Sequence, residues 1–318
     1  MKYDKQAKLS WFDFVFWGMF ILAAAFFPNY LPFLTLILIY GLFALSLDIA
    51  LGYAGILTVG HAAFFGLGAY GAGLISIYIT SEPVSGLVLA GLISMVVGYV
   101  LSFLVVRGSD LSRLMITIGT VVLFGEVVRR FSSVTGGTDG LLGIEIAPLF
   151  GLFEFDFDGQ LGFIYTYVIV LVLFLWVRRI VRTPFGYSVR GIHENPTRML
   201  ALGTPITKRL RWSYALSALL AGIAGALLAQ TNQFVGIETI SFDLSAQILI
   251  MLVLGGAGRL YGGLVGATIY MILHDVFADM SPEYWMFWLG LFLIFMVSVG
   301  KGGIVTWFDS LRRQKEQA

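Results

Sequence analysis

No cysteine occurs among the 318 residues, so disulfides, thiolate nucleophiles and Cys-ligated metals are all excluded. Histidine is scarce: His61, His193 and His274 are the only three, and their separations do not match metal-ligand spacing. No pair of carboxylates is placed for acid–base work. A phosphate-cradling loop needs G-x-x-x-x-G-K-[ST], and the single Gly-Lys pair, Gly300-Lys301, runs on into Gly302. The chain is therefore read as no enzyme, with no cofactor or metal of its own. Charge is sparse as well, at 12% of residues against roughly 25% in an ordinary soluble domain.

What is abundant is apolar. Hydrophobic residues make up 58% of the chain and the mean hydropathy is +0.88, which points to an all-α polytopic membrane protein. A helix needs about 20 mostly apolar residues to cross the hydrocarbon core. Runs near 11–27, 31–51, 61–81, 84–106, 112–130, 161–178, 212–231, 244–258, 260–277 and 284–300 predict about ten such helices in one membrane domain spanning 1–318. The eighth is short and is expected to be tilted, broken or partly re-entrant. The basic start followed by an apolar run also fits a cleaved signal peptide. Asp13 early in that run, and Phe26-Phe27-Pro28 after Ala25, favour a retained first helix instead.

Ten spans put both termini on one side. With the N-terminus inside, 18 of the 20 Lys and Arg fall in the inside segments 1–10, 52–60, 107–113, 178–211, around 259 and 301–318. The other two are Arg129 and Arg130, at the outer end of the fifth helix. This bias supports an N-in, C-in topology. The outside segments are acidic, with Glu82, Asp139, Glu145, Glu154, Asp156, Asp158, Glu238, Asp243, Asp279 and Glu283.

Residues 52–74 hold seven glycines and no Asp, Glu, Lys or Arg. Small residues four apart mark close helix–helix seams, as at Ala62/Gly66, Gly68/Ala72 and Ala69/Gly73. Gly52, Gly55 and Gly60 precede the point where a regular helix resumes. They suit irregular backbone, which is tolerated at membrane depth only where protein buries it or a cavity adjoins it. We expect a broken or re-entrant segment at 52–60 and a tightly packed helix from 61. Ala218/Gly222, Ala221/Gly225 and Gly225/Ala229 repeat the seam spacing, and 255–266 is a second glycine-dense joint with Gly258, Gly262 and Gly266 four apart. Two such joints suggest an internal repeat of 31–130 against 212–300.

The long inside loop 178–211 carries two helix starts, Thr183-Pro184 and Asn195-Pro196, each a capping residue followed by proline in the first turn. The second helix should run from Pro196 to Leu202 and close at Gly203 in a left-handed turn. So short a helix needs a partner surface. Met199, Leu200 and Leu202 offer apolar area, and Arg190, Glu194 and Arg198 offer polar contacts.

The sequence GYAGILTVGHAAFFGLGAYGAG at 52–73 resembles the signature of LivM-type permeases of branched-chain amino acid ABC transporters. TGGTDGL at 135–141 is similar to that family too. So are Arg190-Gly-Ile-His-Glu-Asn195, Ala201-Leu-Gly203, Leu216 to Leu227, and the run 241–267. The resemblance implies an importer in the prokaryotic cell membrane, the inner membrane where there are two. It would be built from this chain, a homologous second permease of LivH type, two cytoplasmic ATPases that hydrolyse the ATP, and an external solute-binding protein. Membrane lipid is the remaining partner, and nucleic acid is none. The solute would be an amino acid, most simply Leu, Ile or Val, carried by alternating access. Urea, short amides and aromatic acids are the alternatives within the family.

The same resemblance makes 178–211 a coupling loop. Arg190, Glu194, Asn195, Pro196, Arg198, Met199, Leu202 and Gly203 would then meet the ATPase, although the EAA…G pattern of coupling helices is reduced to Thr197, Arg198 and Met199 before Gly203. The competing reading is a basic loop held against anionic lipid.

Ionisable residues at membrane depth usually face the bundle interior. Asp48 either caps the broken segment or lines the path with Gly52, Gly55 and His61. Glu126 should pair with Arg129 or Arg130 on its own helix. Gly136, Gly137, Thr138 and Asp139 form either a plain turn or part of an external gate. An ion-coupled secondary transporter relying on Asp48 and Glu126 is the chief rival from another class, and an intramembrane hydrolase is a second.

Overall fold

The computed structural model describes residues 11–299 apart from 150, 152 and 154–158. The basic segments 1–10 and 301–318, with Gly300, and the acidic Glu154, Asp156 and Asp158 lie outside the described residues. Among the described residues the chain is helical: α1 (Trp11–Phe26), α2 (Leu31–Asp48), α3 (Ala62–Tyr78), α4 (Pro83–Val105), α5 (Asp110–Arg130), α6 (Ser132–Thr135), α7 (Gln160–Val181), α8 (Pro184–Glu194), α9 (Pro196–Ala201), α10 (Ile206–Asn232), α11 (Phe242–Gly255), α12 (Gly262–Met280) and α13 (Trp285–Val299).

Each expected apolar run coincides with one of these helices to within a few residues, except at the start of α10. That helix begins at Ile206 rather than near 212. Lys208, Arg209 and Arg211 depress local hydropathy there, but Lys and Arg are good helix formers, and their long stems let the charge reach water from an apolar helix. As crossings the helices are not equivalent. Among the described residues, six segments are long and apolar enough to span a membrane: 28–53, α4, α5, α7, α10 and α12. The apolar α3 and α11 are shorter, at 17 and 14 residues, because each abuts a glycine-dense joint where the chain leaves helical geometry.

Burial sorts the bundle into centre and rim. The most apolar windows of 28–53 and α10 are 78% and 83% buried, while that of α5 is 22% buried. α2 and α10 are thus the central helices, and α5 presents its apolar surface outward. α10 packs along α3 and α4 through the small-residue seam. A Cβ on Gly68 would fall on the carbonyl oxygen of Gly222, and one on Gly225 would fall on that of Phe65. Gly98 meets Ala218 in the same way, and the Ser94 hydroxyl donates to the Phe64 carbonyl at 3.3 Å. The second joint brings α11 and α12 backbone to backbone, with Gly266 against the Met251 carbonyl, and seats Gly263 on Ala44 and Leu45 of α2.

Contacts between loops define the two ends of the bundle. At one end His193 meets Gly52, Gly258 meets Asp48 and Arg178 meets Asp13. At the other, Leu141 and Val235 exchange backbone hydrogen bonds, Ala147 N–H donates to the Ser81 carbonyl at 2.9 Å, and the Ser76 hydroxyl donates to the Glu145 carbonyl. Residues 52, 178, 193 and 258 therefore share one end, and 81, 141, 145, 147 and 235 lie at the other.

Candidate functional site

The helix that begins at Leu31 does not stop at Asp48 but widens into a π-turn, Ile49–Tyr53. A widened turn and a helix end leave carbonyls without intrahelical donors. The Ile49 carbonyl keeps the Ala54 N–H at 3.2 Å, and side chains from elsewhere add further donors. Ser217 of α10 donates to the Ser46 carbonyl at 2.6 Å. Ser213, one turn earlier, donates to the Ile49 carbonyl at 3.3 Å. His193 of α8 lies with Nδ1 at 3.1 Å from the Gly52 carbonyl. A carbonyl can only accept, so Nδ1 of His193 carries the proton.

His61 has its tautomer fixed by the same reasoning. Its Nε2 lies 3.0 Å from Ser46 Oγ and 3.1 Å from Ser217 Oγ. Both hydroxyl protons are already committed, that of Ser46 to the Phe43 carbonyl at 2.6 Å and that of Ser217 to the Ser46 carbonyl. Each hydroxyl has one proton to give, so Nε2 of His61 is the donor to both oxygens. Its Nδ1 is left as a buried acceptor with no hydrogen-bond partner among the described residues. The ring stacks on Phe43, with centroids 5.8 Å apart. The histidine thus locks the start of α3 to α2 and α10.

Asp48 does not cap its own turn, contrary to one of the two expected roles, because it has no side-chain capping bond there. Its Oδ1 instead accepts the N–H of Gly258 at 2.6 Å, which ties the first glycine joint to the second. The turn at Gly258 has φ of +78°, which aims that N–H across the interface. Oδ2 is buried without a hydrogen-bond partner among the described residues. Gly52 has to be glycine here, since a Cβ would strike both Asp48 Oδ1 and the Gly258 nitrogen. Gly55, at φ +67°, leaves room for the His193 ring in the same way.

The loop that presents His193 is folded by its own signals. Thr183 caps α8 through the Gly186 N–H, and Asn195 caps α9 through the Arg198 N–H at 2.9 Å. Gly203 sits at φ +76°, with the Thr204 N–H returned to the Met199 carbonyl at 3.1 Å. Val189 and Ile192 of α8 are buried against the bundle. Arg190 and Glu194 face outward as an exposed pair 3.6 Å apart. Of the three apolar residues expected on the outer surface, Met199 turns inward onto Gly191, while Leu200 and Leu202 are 64% and 70% exposed. Pro196 and Arg198 are exposed beside them. Replacing Asn195 with alanine should cost α9 about 1 kcal/mol and raise hydrogen exchange at the Arg198 amide several-fold. Asn195→Asp keeps the acceptor and should leave exchange unchanged.

Comparison with known proteins gives the family of the chain. The family described as the branched-chain amino acid transport system / permease component matches residues 29–297. The chain belongs to this permease family. It is 29% identical over 288 residues to the high-affinity branched-chain amino acid transport system permease protein LivM of Salmonella typhimurium, covering 83% of this chain and 67% of that one. The LivM protein of Escherichia coli is 28% identical over the same coverage. A probable LivM permease of Methanocaldococcus jannaschii is 24% identical over 74% of this chain and 77% of its own. No solved structure matches the chain.

In this permease the sequence-based candidates fall into two groups. Asp48, Gly52, Gly55 and His61 gather at the broken helix with His193. Gly136, Gly137, Thr138 and Asp139 lie at the opposite end, with Gly136 and Gly137 at φ +75° and +60° and with Thr138 and Asp139 exposed. The two groups are not in contact. Glu126 pairs with Arg129 at 3.6 Å on the surface of α5, and His274 rests edge-on against Trp285 at 4.5 Å between ring centroids.

Sequence reasoning missed the buried pair of Asp13 with Arg178, at 2.6 Å, to which the Tyr261 hydroxyl also donates. It joins α1, the end of α7 and the second glycine joint. A lone acid in an apolar run and an arginine at the same end of the bundle were the available signal. His193 was missed as well, and nothing in the sequence near it marked a bond to residue 52.

Proposed function

We propose that this chain is one membrane subunit of an ATP-driven importer for amino acids, with Leu, Ile or Val as the solutes. It works beside a second, homologous permease of LivH type, and the conduit lies between the two. Ten spans cross the prokaryotic cell (inner) membrane with both termini in the cytoplasm, and the two glycine joints belong to related halves. Two cytoplasmic ATPases hydrolyse the ATP, an external solute-binding protein delivers the solute, and the chain itself binds no cofactor.

The observation that carries this reading is the hydrogen bond from His193 to the Gly52 carbonyl. It joins a loop with outward-facing Leu200 and Leu202 directly to the irregular turn of a central helix. A push on α9 is passed through its packing on α8 to the broken segment, and from there through Asp48 to the joint between α11 and α12. Arg190, Glu194, Asn195, Pro196, Arg198, Met199, Leu202 and Gly203 form or support the surface that receives the push. Gly136, Gly137, Thr138 and Asp139, at the far end, contribute to the external gate. Packed elements with two discrete arrangements transmit motion in this manner.

Uptake in vesicles tests the proposal. The full assembly should accumulate labelled leucine only when ATP is present on the ATPase side. Accumulation by this chain alone, driven by an ion gradient, would defeat it. Within the assembly, His193→Ala should lower uptake about tenfold, from the loss of one coupling hydrogen bond, while ATP hydrolysis persists. Loss of hydrolysis and uptake in equal measure would instead mark His193 as part of the docking surface.

A further inference from the structure

We propose that the groove between the adjoining ends of α7, α8 and α10 holds an anionic glycerophospholipid. The groove encloses about 470 Å³, and Ile180, Phe185, Trp212, Leu216, Lys208 and Arg209 line it. It runs along one face of α10, since 208, 209, 212 and 216 are spaced to lie together. The opposite face, with Leu210, Ser213, Tyr214 and Ser217, is buried in the bundle. The groove therefore opens to the outside of the protein, and Trp212 is 40% exposed within it.

The chemistry changes along the groove. Leu216 and Trp212 lie deeper on an apolar helix, where hydrocarbon would surround them. Lys208 and Arg209 lie toward its end, where headgroups would be. Among the described residues no carboxylate lines the groove. The Arg209 guanidinium sits over the Phe185 ring at 5.5 Å, and its Nε is buried without a hydrogen-bond partner. Lys208 and Arg209 both line the groove, and a phosphate entering it would offset their two charges. A soluble anion would satisfy the two cations and leave the apolar wall bare. A lipid covers both, with its chains along Trp212 and Leu216 and its phosphate at Lys208 and Arg209. Net negative charge is favoured because a zwitterionic lipid brings its own cation to a site that already holds two. Basic pockets between transmembrane helices recognise anionic headgroups on these grounds.

The groove also reaches the broken helix. A narrow apolar crevice continues from it past Ile180, Phe185 and Leu216 to Ile49, Tyr53 and Ser213, so the lipid would border the π-turn. The inference rests on the membrane reading of the chain and is independent of solute and ATPase.

Native mass spectrometry of the purified full chain in detergent tests it. Phosphatidylglycerol and phosphatidylcholine with identical acyl chains are titrated in separate series, and a third series adds inorganic phosphate to the phosphatidylglycerol complex. Wild type should prefer phosphatidylglycerol. The double variant Lys208→Gln, Arg209→Gln should lose about 25-fold of that preference, near fivefold per cation. Lys208→Gln alone changes only an exposed side chain and should lose about fivefold, which keeps the test open if the double variant fails to fold. Inorganic phosphate should leave the lipid complex intact. Equal binding of the two lipids, an unchanged preference in the variants, or displacement of the lipid by inorganic phosphate would each overturn the proposal.

Discussion

Replacing Asp13 with alanine should destabilise the folded permease by about 3–5 kcal/mol, the usual cost of stranding one member of a buried ion pair. The Arg178 side chain is 11% exposed and that of Asp13 5% exposed, so neither charge can be rehydrated without opening the bundle. Asp13→Ala takes the carboxylate away from a buried guanidinium. Arg178→Ala should be destabilising as well, although Tyr261 still donates to Asp13. The double variant Asp13→Leu, Arg178→Leu removes both desolvated charges and should be more stable than either single variant. Denaturation of the purified protein in detergent, run as a double-mutant cycle, measures the coupling. Strict additivity of the two single changes would show that the pair does not hold α1 to α7.

A single added methyl group should act in opposite directions at two glycines. At Gly225 of α10 a Cβ would land on the Phe65 carbonyl oxygen. Both groups belong to helix backbone, so no side chain can swing aside. α3 and α10 would have to separate, and with them the neighbouring contact of Gly68 with Gly222. Gly225→Ala should therefore cost about 3 kcal/mol, at the upper end of ordinary overpacking. At Gly119 of α5 an added Cβ has nothing within 4 Å, and the site is exposed. Gly119→Ala should be neutral or stabilising by up to about 1 kcal/mol, from the lower helix propensity of glycine. Parallel thermal unfolding of the two variants checks the pair. A mild effect at both positions would mean that the seam between α3 and α10 is looser than described.

Much of the helical framework was legible from the chain, for a local reason. Apolar runs of helical length are local, and so are caps, in which Thr183 or Asn195 meets an N–H three residues away. The left-handed glycines at 136, 137 and 203 could be expected, because the turns they serve are set by adjacent residues. The seam of small residues was legible as well. Spacing of four on one helix can be seen without knowing the partner, although the pairing of Gly68 with Gly222 and of Gly225 with Phe65 could not.

The candidate site was legible only in part. Asp48, Gly52, Gly55 and His61 stood out as polar or small residues in an apolar setting, but their partners did not. Asp48 meets a backbone N–H 210 positions away, and a backbone donor leaves no mark in a sequence. The same holds for the carbonyls of Ser46, Ile49 and Gly52, which draw Ser217, Ser213 and His193 to them. Two serines on an apolar helix look like any two serines until the turn that needs them is in place.

The sequence alone determined that this protein is helical and membrane-embedded, where its chain breaks, and to which transporter family it is related. Periodicity, hydropathy and capping are properties of neighbouring residues. The tertiary structure alone decided that the first break is clamped to the second by Asp48, that α8 grips it through His193, and that Asp13 is neutralised by Arg178. Those contacts exist because buried polar groups must find partners wherever the fold brings them, and chain order does not encode distance in space.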